Sequence, residues 1–504
     1  MATRVKIYPE SKLNKIDRGI LGHFVEIFPG NLQGGMYDPT SPFADEDGFR
    51  TDVIEAMKEI GVSQIRWGGN FSSNYNWLDG VGPQEDRPKR YDYAWHRMCD
   101  NQFGTVEFIQ LCRKVGCEPV IGINMGSGTP ADAMNWVEYC NGTQDTYYAN
   151  LRRSHGYEEP FNVKYWCLGN EMYGNWQFGF LSAEQYAQQA MHCAIGMLSV
   201  DPDLKLIALG LESDFEWNRK VAEVLGVEKT PVIPGDYIDF ISLHYYPVNR
   251  EEAFYKTSYN ERLGIDLFFH EMTMMMRNAI ELGTYDKENH INISWDEWAA
   301  HDSEKGMSIE NAMWCTSIVN NFIRDSKYVK LANYTFFVNK NRGPLQVNDD
   351  GILKHVEHYA FKLYNELMGD TLIREEDDAE KIDIMMPLDT KWLQKAPRLK
   401  TTKAPRQVKW LDIATTLNSE TGDVTVFVTN RNPDEDIEVK FDLMEVEGYK
   451  KAEINTLWDE DILAQNSIEE PNKVTIKTEV VEGDESFTAV IKKHSFNAIR
   501  FVKA

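Results

Sequence analysis

The chain has 504 residues, 42% hydrophobic and 26% charged, a balance that permits a large buried core and enough length for a barrel plus a smaller module. Its 53 Lys and Arg face 79 Asp and Glu, a formal net charge of −26. A surface of that sign repels nucleic acid and anionic membranes, so neither is an expected partner, and a neutral small molecule is.

The opening MATRVKIYPESKLNK lacks the apolar core and cleavage site of a secretory leader, and no apolar run reaches the length of a membrane span. Seven cysteines (Cys99, Cys112, Cys117, Cys140, Cys167, Cys193, Cys315) are scattered without a C-x-x-C pair. That argues against a disulfide framework or zinc cluster and for a reduced compartment, and a cytoplasmic protein is expected. Asn141-Gly142-Thr143 is then a chance match to a glycosylation acceptor.

In chain order, residues 1–16 alternate and are expected to form a strand joining a C-terminal β domain. Residues 17–370 then alternate short apolar runs with amphipathic ones. The candidate strands are GILGHFVEI, VSQIRWGG, EPVIGIN, VKYWCLGNE, KLIALGL, DFISLHYYP, NISWDEWA and NYTFFVN, each mostly apolar, as strands covered on both faces should be. FRTDVIEAMKEIG and GTVEFIQLCRKVG read as helices stopped by Gly61 and Gly116, and the run from Ser182 to Val200 as a helix capped by Ser182. Eight β-α units in a row predict an α/β fold, a (β/α)8 TIM barrel with its site at the C-terminal ends of the strands. Glu26, Asn70, Asn124, Asn170, Glu171, His244, Tyr246, Glu297 and Asn339 all fall at or just past those ends. A doubly wound open sheet would need a Gly-rich dinucleotide fingerprint, which GSGTPA at 126–131 does not supply.

Residues 371–504 are expected to form an all-β sandwich, jelly-roll-like, after a Lys-, Pro- and Thr-rich linker or extended edge at 388–407. Its candidate strands are VKWLDIATTLN, DVTVFVTNRN, DIEVKFDLM, KVTIKTEVV, SFTAVIKK and NAIRFVKA.

Glu171 and Glu297 end candidate strands four and seven, and across a barrel mouth two such glutamates can face one substrate bond. Retaining glycoside hydrolysis needs that pair about 5–5.5 Å apart, one protonating the leaving oxygen while the other attacks the anomeric carbon. Asn170, beside Glu171, can bond a sugar 2-hydroxyl. No metal and no cofactor are required by this chemistry. HEMTM at 270–274 has Met274 where a zinc helix needs histidine, and DEDG at 45–48 lacks the full ligand spacing of a calcium loop.

GHFVEIF…GGMYD, RWGGNFSSNYNWLDGVGP, DNQFGTVEFIQLC, GTPADAMNWVEYCNG, WCLGNEMYGNWQFG, ISLHYYP and ISWDEWA, in this order, resemble glycoside hydrolase family 51, the α-L-arabinofuranosidases. The resemblance implies Glu171 as acid/base and Glu297 as nucleophile. It implies Glu26, Asn70 and Asn170 as ligands of the furanose hydroxyls, Tyr246 on the nucleophile, His244 near the acid/base, and Trp95 and Trp176 as apolar faces. It also implies a homo-oligomer, a hexamer. The sequence departs from the family pattern at RWGGN, which lacks a proline, at Tyr173 in place of an aspartate, and at His355 in place of a sugar-contacting glutamine. The expected activity is exo-acting removal of terminal α-L-arabinofuranosyl groups from arabinan or arabinoxylan oligosaccharides. The alternatives are the same mechanism on a β-D-galactofuranoside, β-xyloside or β-glucan, or a non-catalytic carbohydrate-binding protein.

Overall fold

A computed structural model describes residues 2–226, 237–246, 259–285, 290–300, 307–338, 343–385 and 405–504. Eight parallel strands close into a barrel: Gly22–Val25, Gln64–Trp67, Glu118–Gly122, Tyr165–Cys167, Lys205–Leu209, Phe240–Tyr245, Asn292–Trp298 and Val329–Thr335. The last closes on the first, with Asn333, Tyr334 and Thr335 opposite Gly22, His23 and Phe24.

Seven strands lie inside the apolar runs read from the sequence; the eighth begins four residues before NYTFFVN. Phe336 prolongs that run but lies past the strand, stacked on Phe24 and edge-on to Phe28. Asn339 lies outside the described residues. The first strand is shorter than its run because Asp17 caps a tight turn at Arg18–Leu21, accepting from the Gly19 amide at 2.9 Å.

The helix signals act as the sequence suggests. Gly116 ends Thr105–Val115 in the left-handed conformation (φ 86°), where a side chain would be strained. Ser182 and Gln185 form a reciprocal capping box at the start of Ala183–Val200. HEMTM lies in the helix Ile265–Thr284 with Met272 and Met276 buried. The acidic loop at 45–48 is tied to the Lys114 ammonium through Asp45 and Asp47. Asn141 is buried, donating to the Val163 carbonyl at 2.9 Å and to Asp201 at 2.8 Å, so it offers no acceptor for a glycan.

The C-terminal region is one continuous nine-stranded sheet in the order Lys477–Glu482, Tyr449–Leu457, Ser495–Lys503, Val424–Asn430, Leu411–Leu417, Thr371–Asp377, Thr3–Lys15, Ile437–Leu443, Ser486–Ile491. It folds over itself into a sandwich, because Phe487 on one edge strand meets Phe501 at 5.1 Å and Phe441 meets Phe501 at 5.7 Å. The N-terminal strand is central, antiparallel to Thr371–Asp377 and parallel to Ile437–Leu443, with Val5 and Ile7 fully buried. The sequence reading missed Tyr449–Leu457. A bulge between Tyr449 and Lys451 changes the parity of the buried positions, so no strict alternation survives. Most of the expected linker lies outside the described residues, but its end, Pro405–Lys409, pairs as a strand with Lys381–Met385.

Barrel and sandwich meet through the last two barrel helices. Tyr364, on Val356–Leu367, packs on Phe427 at 4.5 Å and Phe496 at 5.2 Å, and its hydroxyl donates to Asn320 Oδ1 at 2.7 Å. Asn320 and Arg324 both donate to the buried Asp412, at 2.9 and 2.7 Å. Truncating Tyr364→Ala leaves an aromatic-sized hole at this junction, a loss of about 3–5 kcal/mol for a buried ring. Equilibrium urea unfolding is expected to show a lower midpoint for the variant; an unchanged midpoint would mean the junction contributes little to stability.

Candidate active site

The strand ends converge on a buried cation. Arg66, on the second barrel strand, is fully enclosed. Its Nη1 donates to Glu297 Oε1 at 2.8 Å, its Nη2 to Asn170 Oδ1 at 2.7 Å, and its Nε lies 3.5 Å from Asp296 Oδ2. The guanidinium also stands over the Phe24 ring at 4.9 Å. Burial alone would lower its proton affinity, but the carboxylates of Glu297 and Asp296 outweigh it, and Arg66 stays charged.

Asp296 and Glu297 are neighbours, and a regular strand would send them to opposite faces. Here the register with both adjacent strands shifts between Ser294 and Trp298. This bulge lets both carboxylates reach Arg66. Glu297 is held at its second oxygen by Tyr246, whose hydroxyl donates to Oε2 at 2.7 Å and lies 3.2 Å from Thr335 Oγ1.

Glu171 sits past the fourth strand in a left-handed backbone conformation (φ 45°), directly after Gly169 (φ 92°) and Asn170. A non-glycine residue there is strained, a feature that collects at functional sites. Glu171 Oε2 accepts the Trp176 indole N–H at 2.7 Å, and Oε1 lies 3.2 Å from His244 Nδ1. His244 is the strand neighbour of Glu297, and Nδ1 is 3.6 Å from Glu297 Oε1. One ligating atom from each of Glu171, His244 and Glu297 falls within 4.8 Å of the others. That span could hold a cation, yet the Arg66 guanidinium already occupies Glu297.

Burial pushes the Glu171 carboxyl up, but hydrogen bonds from His244 and Trp176 and the charges of His244 and Arg66 prevail and hold it below its ordinary value. Burial pulls His244 down, and the Glu297 charge with the Glu171 hydrogen bond more than restores it, so its titration is raised. The two groups form one hydrogen-bonded pair that titrates together, with the carboxyl lowered and the imidazole raised.

The remaining candidates lie at or past the strand ends or at the start of the helix Val356–Leu367. Glu26, past the first strand, is buried and accepts from Trp95 Nε1 at 2.9 Å and the Phe71 amide at 3.3 Å. Burial raises its carboxyl to about 8 against those bonds, so it is mostly a neutral acid at pH 7 and can both donate and accept. Gly69 (φ 89°) permits this fit, since a Cβ there would meet the Glu26 carboxyl at 2.6 Å. Asn170 donates to Asn70 Oδ1 at 3.3 Å, linking the two amides expected to bind hydroxyls. Trp95 and Trp176, expected only as apolar faces, also donate to the two loop carboxylates. Tyr173, where the family carries an aspartate, packs edge-on against Trp176 and Trp217. His355 precedes the helix Val356–Leu367, buried, with its amide on the Pro344 carbonyl at 2.9 Å. Among the described residues no hydrogen bond joins its ring to the carboxylate cluster, and burial with the nearby His358 lowers its titration to about 4. Asn124, at the third strand end, spends its amide on its own loop and the Tyr75 carbonyl.

The sequence matches the family descriptions "Alpha-L-arabinofuranosidase 1 domain" over residues 56–263 and "Alpha-L-arabinofuranosidase C-terminal domain" over 296–495. It is 35% identical over 457 residues to "Alpha-L-arabinofuranosidase C" of Emericella nidulans, covering 88% of this chain and 87% of that one. The chain belongs to glycoside hydrolase family 51, the α-L-arabinofuranosidases. A Halalkalibacterium halodurans relative, "Intracellular exo-alpha-(1->5)-L-arabinofuranosidase", is 32% identical over 98% of this chain and 97% of its own. The Thermotoga petrophila family 51 α-L-arabinofuranosidase structure superposes with a TM-score of 0.85 at 34% identity, covering 99% of this chain and all (100%) of that one.

Within this family 51 site, sequence reading overlooked Arg66, Asp296 and Glu212. An arginine inside the apolar run VSQIRWGG was the available signal for Arg66, since a charge in a strand buried on both faces needs partners. Asp296 gives no signal of its own, since strict alternation would turn it to the face opposite Glu297. Glu212, past the fifth strand, is buried, and burial with the Glu171 charge nearby raises it to about 7.

If Glu171 and His244 share a proton, His244→Gln confines it to the carboxyl, and the alkaline limb of the kcat/KM–pH profile is expected to move to lower pH. The profile of the purified variant, with its fold checked by circular dichroism, decides this; an unmoved limb would show that the imidazole takes no part.

Proposed function

We propose that this family 51 enzyme is a retaining, exo-acting α-L-arabinofuranosidase that removes terminal α-L-arabinofuranosyl groups from arabinan and arabinoxylan oligosaccharides. The observation that carries the reading is the approach of Glu171 and Glu297, carboxylate oxygens within 4.8 Å. Retaining enzymes keep their two carboxyls about 5–5.5 Å apart, and inverting ones about 6.5–9.5 Å to admit a water.

The roles follow from the partners. Both Glu297 oxygens accept hydrogen bonds, from Arg66 and Tyr246, which aims a carboxylate that has to attack carbon. Glu171 shares a movable proton with His244, as a group that must give and take protons requires. In the first step Glu297 forms a bond to the anomeric carbon while Glu171 protonates the departing oxygen. In the second, Glu171 takes a proton from water, the water oxygen bonds the anomeric carbon, and Glu297 departs. Asn170, held by Arg66, is placed to bond the 2-hydroxyl, and Glu26 and Asn70 to bind the other furanose hydroxyls.

Action on a neutral sugar suits the net charge of −26. We place the enzyme in the cytoplasm, supported by seven free cysteines and by the printed name of the H. halodurans relative. A hexamer is the assembly the family resemblance implies.

Release of nitrophenol from 4-nitrophenyl α-L-arabinofuranoside tests the assignment. Glu297→Ala is expected to lose several powers of ten in kcat. Glu171→Ala, with this good leaving group, should be limited in the second step and regain turnover with azide, giving an azide product of retained configuration. General acid/base loss is about 10²–10⁴-fold. Wild type without activity on this substrate, or an inverted sugar as its first product by NMR, would overturn the reading.

A further inference from the structure

Two loops frame the mouth, and each carries aromatic rings that the chemistry above leaves unused. The first is the hairpin Arg90–Asp92 with Arg97–Cys99. Asp92 Oδ1 accepts from the Ala94 and Trp95 amides at 2.9 and 3.3 Å, making the turn that delivers Trp95 to Glu26. Tyr91 and Tyr93, on the opposite side from buried Asp92, are 42% and 57% exposed, with ring centroids 5.1 Å apart. The second loop follows Glu171 and brings Trp176 to it; two residues on, Phe178 is 51% exposed. Tyr93 and Phe178 meet across the gap at 6.4 Å with their planes 24° apart. Trp176 and Phe180, on the second loop, are also exposed.

Soluble proteins seldom leave so many aromatic rings together in water without a use. We infer that Tyr91, Tyr93 and Phe178 form a platform, continuous with the catalytic mouth, that binds the uncharged sugar chain of an oligosaccharide or polysaccharide aglycone. The inference rests on the function proposed above. Flat rings offer the apolar faces that pyranose and furanose C–H surfaces stack upon. The strip begins two residues from each tryptophan that holds a site carboxylate, so a chain leaving the scissile bond runs onto it. Continuity with the mouth commits the platform to the neutral arabinan and arabinoxylan chains of the function proposed above.

The test compares kcat/KM on 4-nitrophenyl α-L-arabinofuranoside with that on arabino- and arabinoxylo-oligosaccharides of rising length, in wild type, Tyr93→Phe and Tyr93→Ala/Phe178→Ala. Wild type and Tyr93→Phe should gain with length. The double alanine variant should lose about tenfold in kcat/KM on the long substrates, through KM, as expected for two stacking rings, with the short glycoside unaffected. Equal losses on short and long substrates would reassign the rings to supporting Trp95 and Trp176. Equal rates for all variants on every length would remove the platform. A changed mass in light scattering with no length effect would make this face a contact between copies of the chain. In each case a wild type still active on the short glycoside keeps the proposed function separate from the platform.

Discussion

Everything at the mouth depends on one buried guanidinium. Arg66 cannot reach water, so its charge must be met inside the barrel, and a buried charge stripped of a partner costs several kcal/mol. Its three nitrogens face Glu297, Asn170 and Asp296, on strands or loops from the fourth and seventh barrel units. A planar fork with fixed angles therefore sets the distance between the Glu297 carboxylate and the Asn170 amide. A lysine would keep the charge and lose that geometry. The bulge in Asn292–Trp298 follows from the same requirement, since without it Asp296 and Glu297 could not both face Arg66.

The second constraint is charge crowding. Glu171, Glu297 and Asp296 approach one another in a site that excludes most water, and three carboxylates in that space would be unstable together. Arg66 offsets one negative charge permanently and protonated His244 offsets another, leaving a site one charge short of neutral. The Glu297 charge is a major source of the raised His244 titration, so the protonation of the imidazole depends on that carboxylate staying ionised. Burial raises the carboxyls of Glu26 and Glu212 to about 8 and about 7, and the charges of Glu297 and Glu171 nearby add to it.

How much of this could be read from the sequence depended on periodicity. Barrel strands such as EPVIGIN and NISWDEWA stand out because parallel strands covered on both faces are apolar throughout. Glu171 and Glu297 stand out because a carboxylate ending such a run has no packing reason to be there. What escaped was where backbone irregularity overrides the pattern. The bulge near Lys451 disguised a whole strand, and the one beside Glu297 hid Asp296. The capped turn at Arg18–Leu21 shortened the first barrel strand, and Phe336, past the strand, lengthened the apparent eighth. His355, placed at the sugar by its position in a motif, lies buried at a helix start with no hydrogen bond to the carboxylates among the described residues.

The two carboxylates rest on different kinds of backbone, and the division has a chemical reason. Glu297 belongs to a strand paired on both sides, buried along its length, with both oxygens hydrogen-bonded. A nucleophile must meet carbon along one line, and rigidity lowers the barrier by removing the search for that line. Glu171 stands on a left-handed residue past the end of a strand, tethered by two side chains, Trp176 and His244, that can each rearrange. An acid/base has to meet two different oxygens, the leaving group's and then water's, at slightly different places. Backbone strain at that position is tolerated because Gly169 before it and the Arg66–Asn170 bond beside it hold the turn. In the roles proposed above, the barrel supplies a fixed attacker from its strands and an adjustable proton carrier from its loops, with Arg66 bonded to Glu297 and to Asn170 beside Glu171.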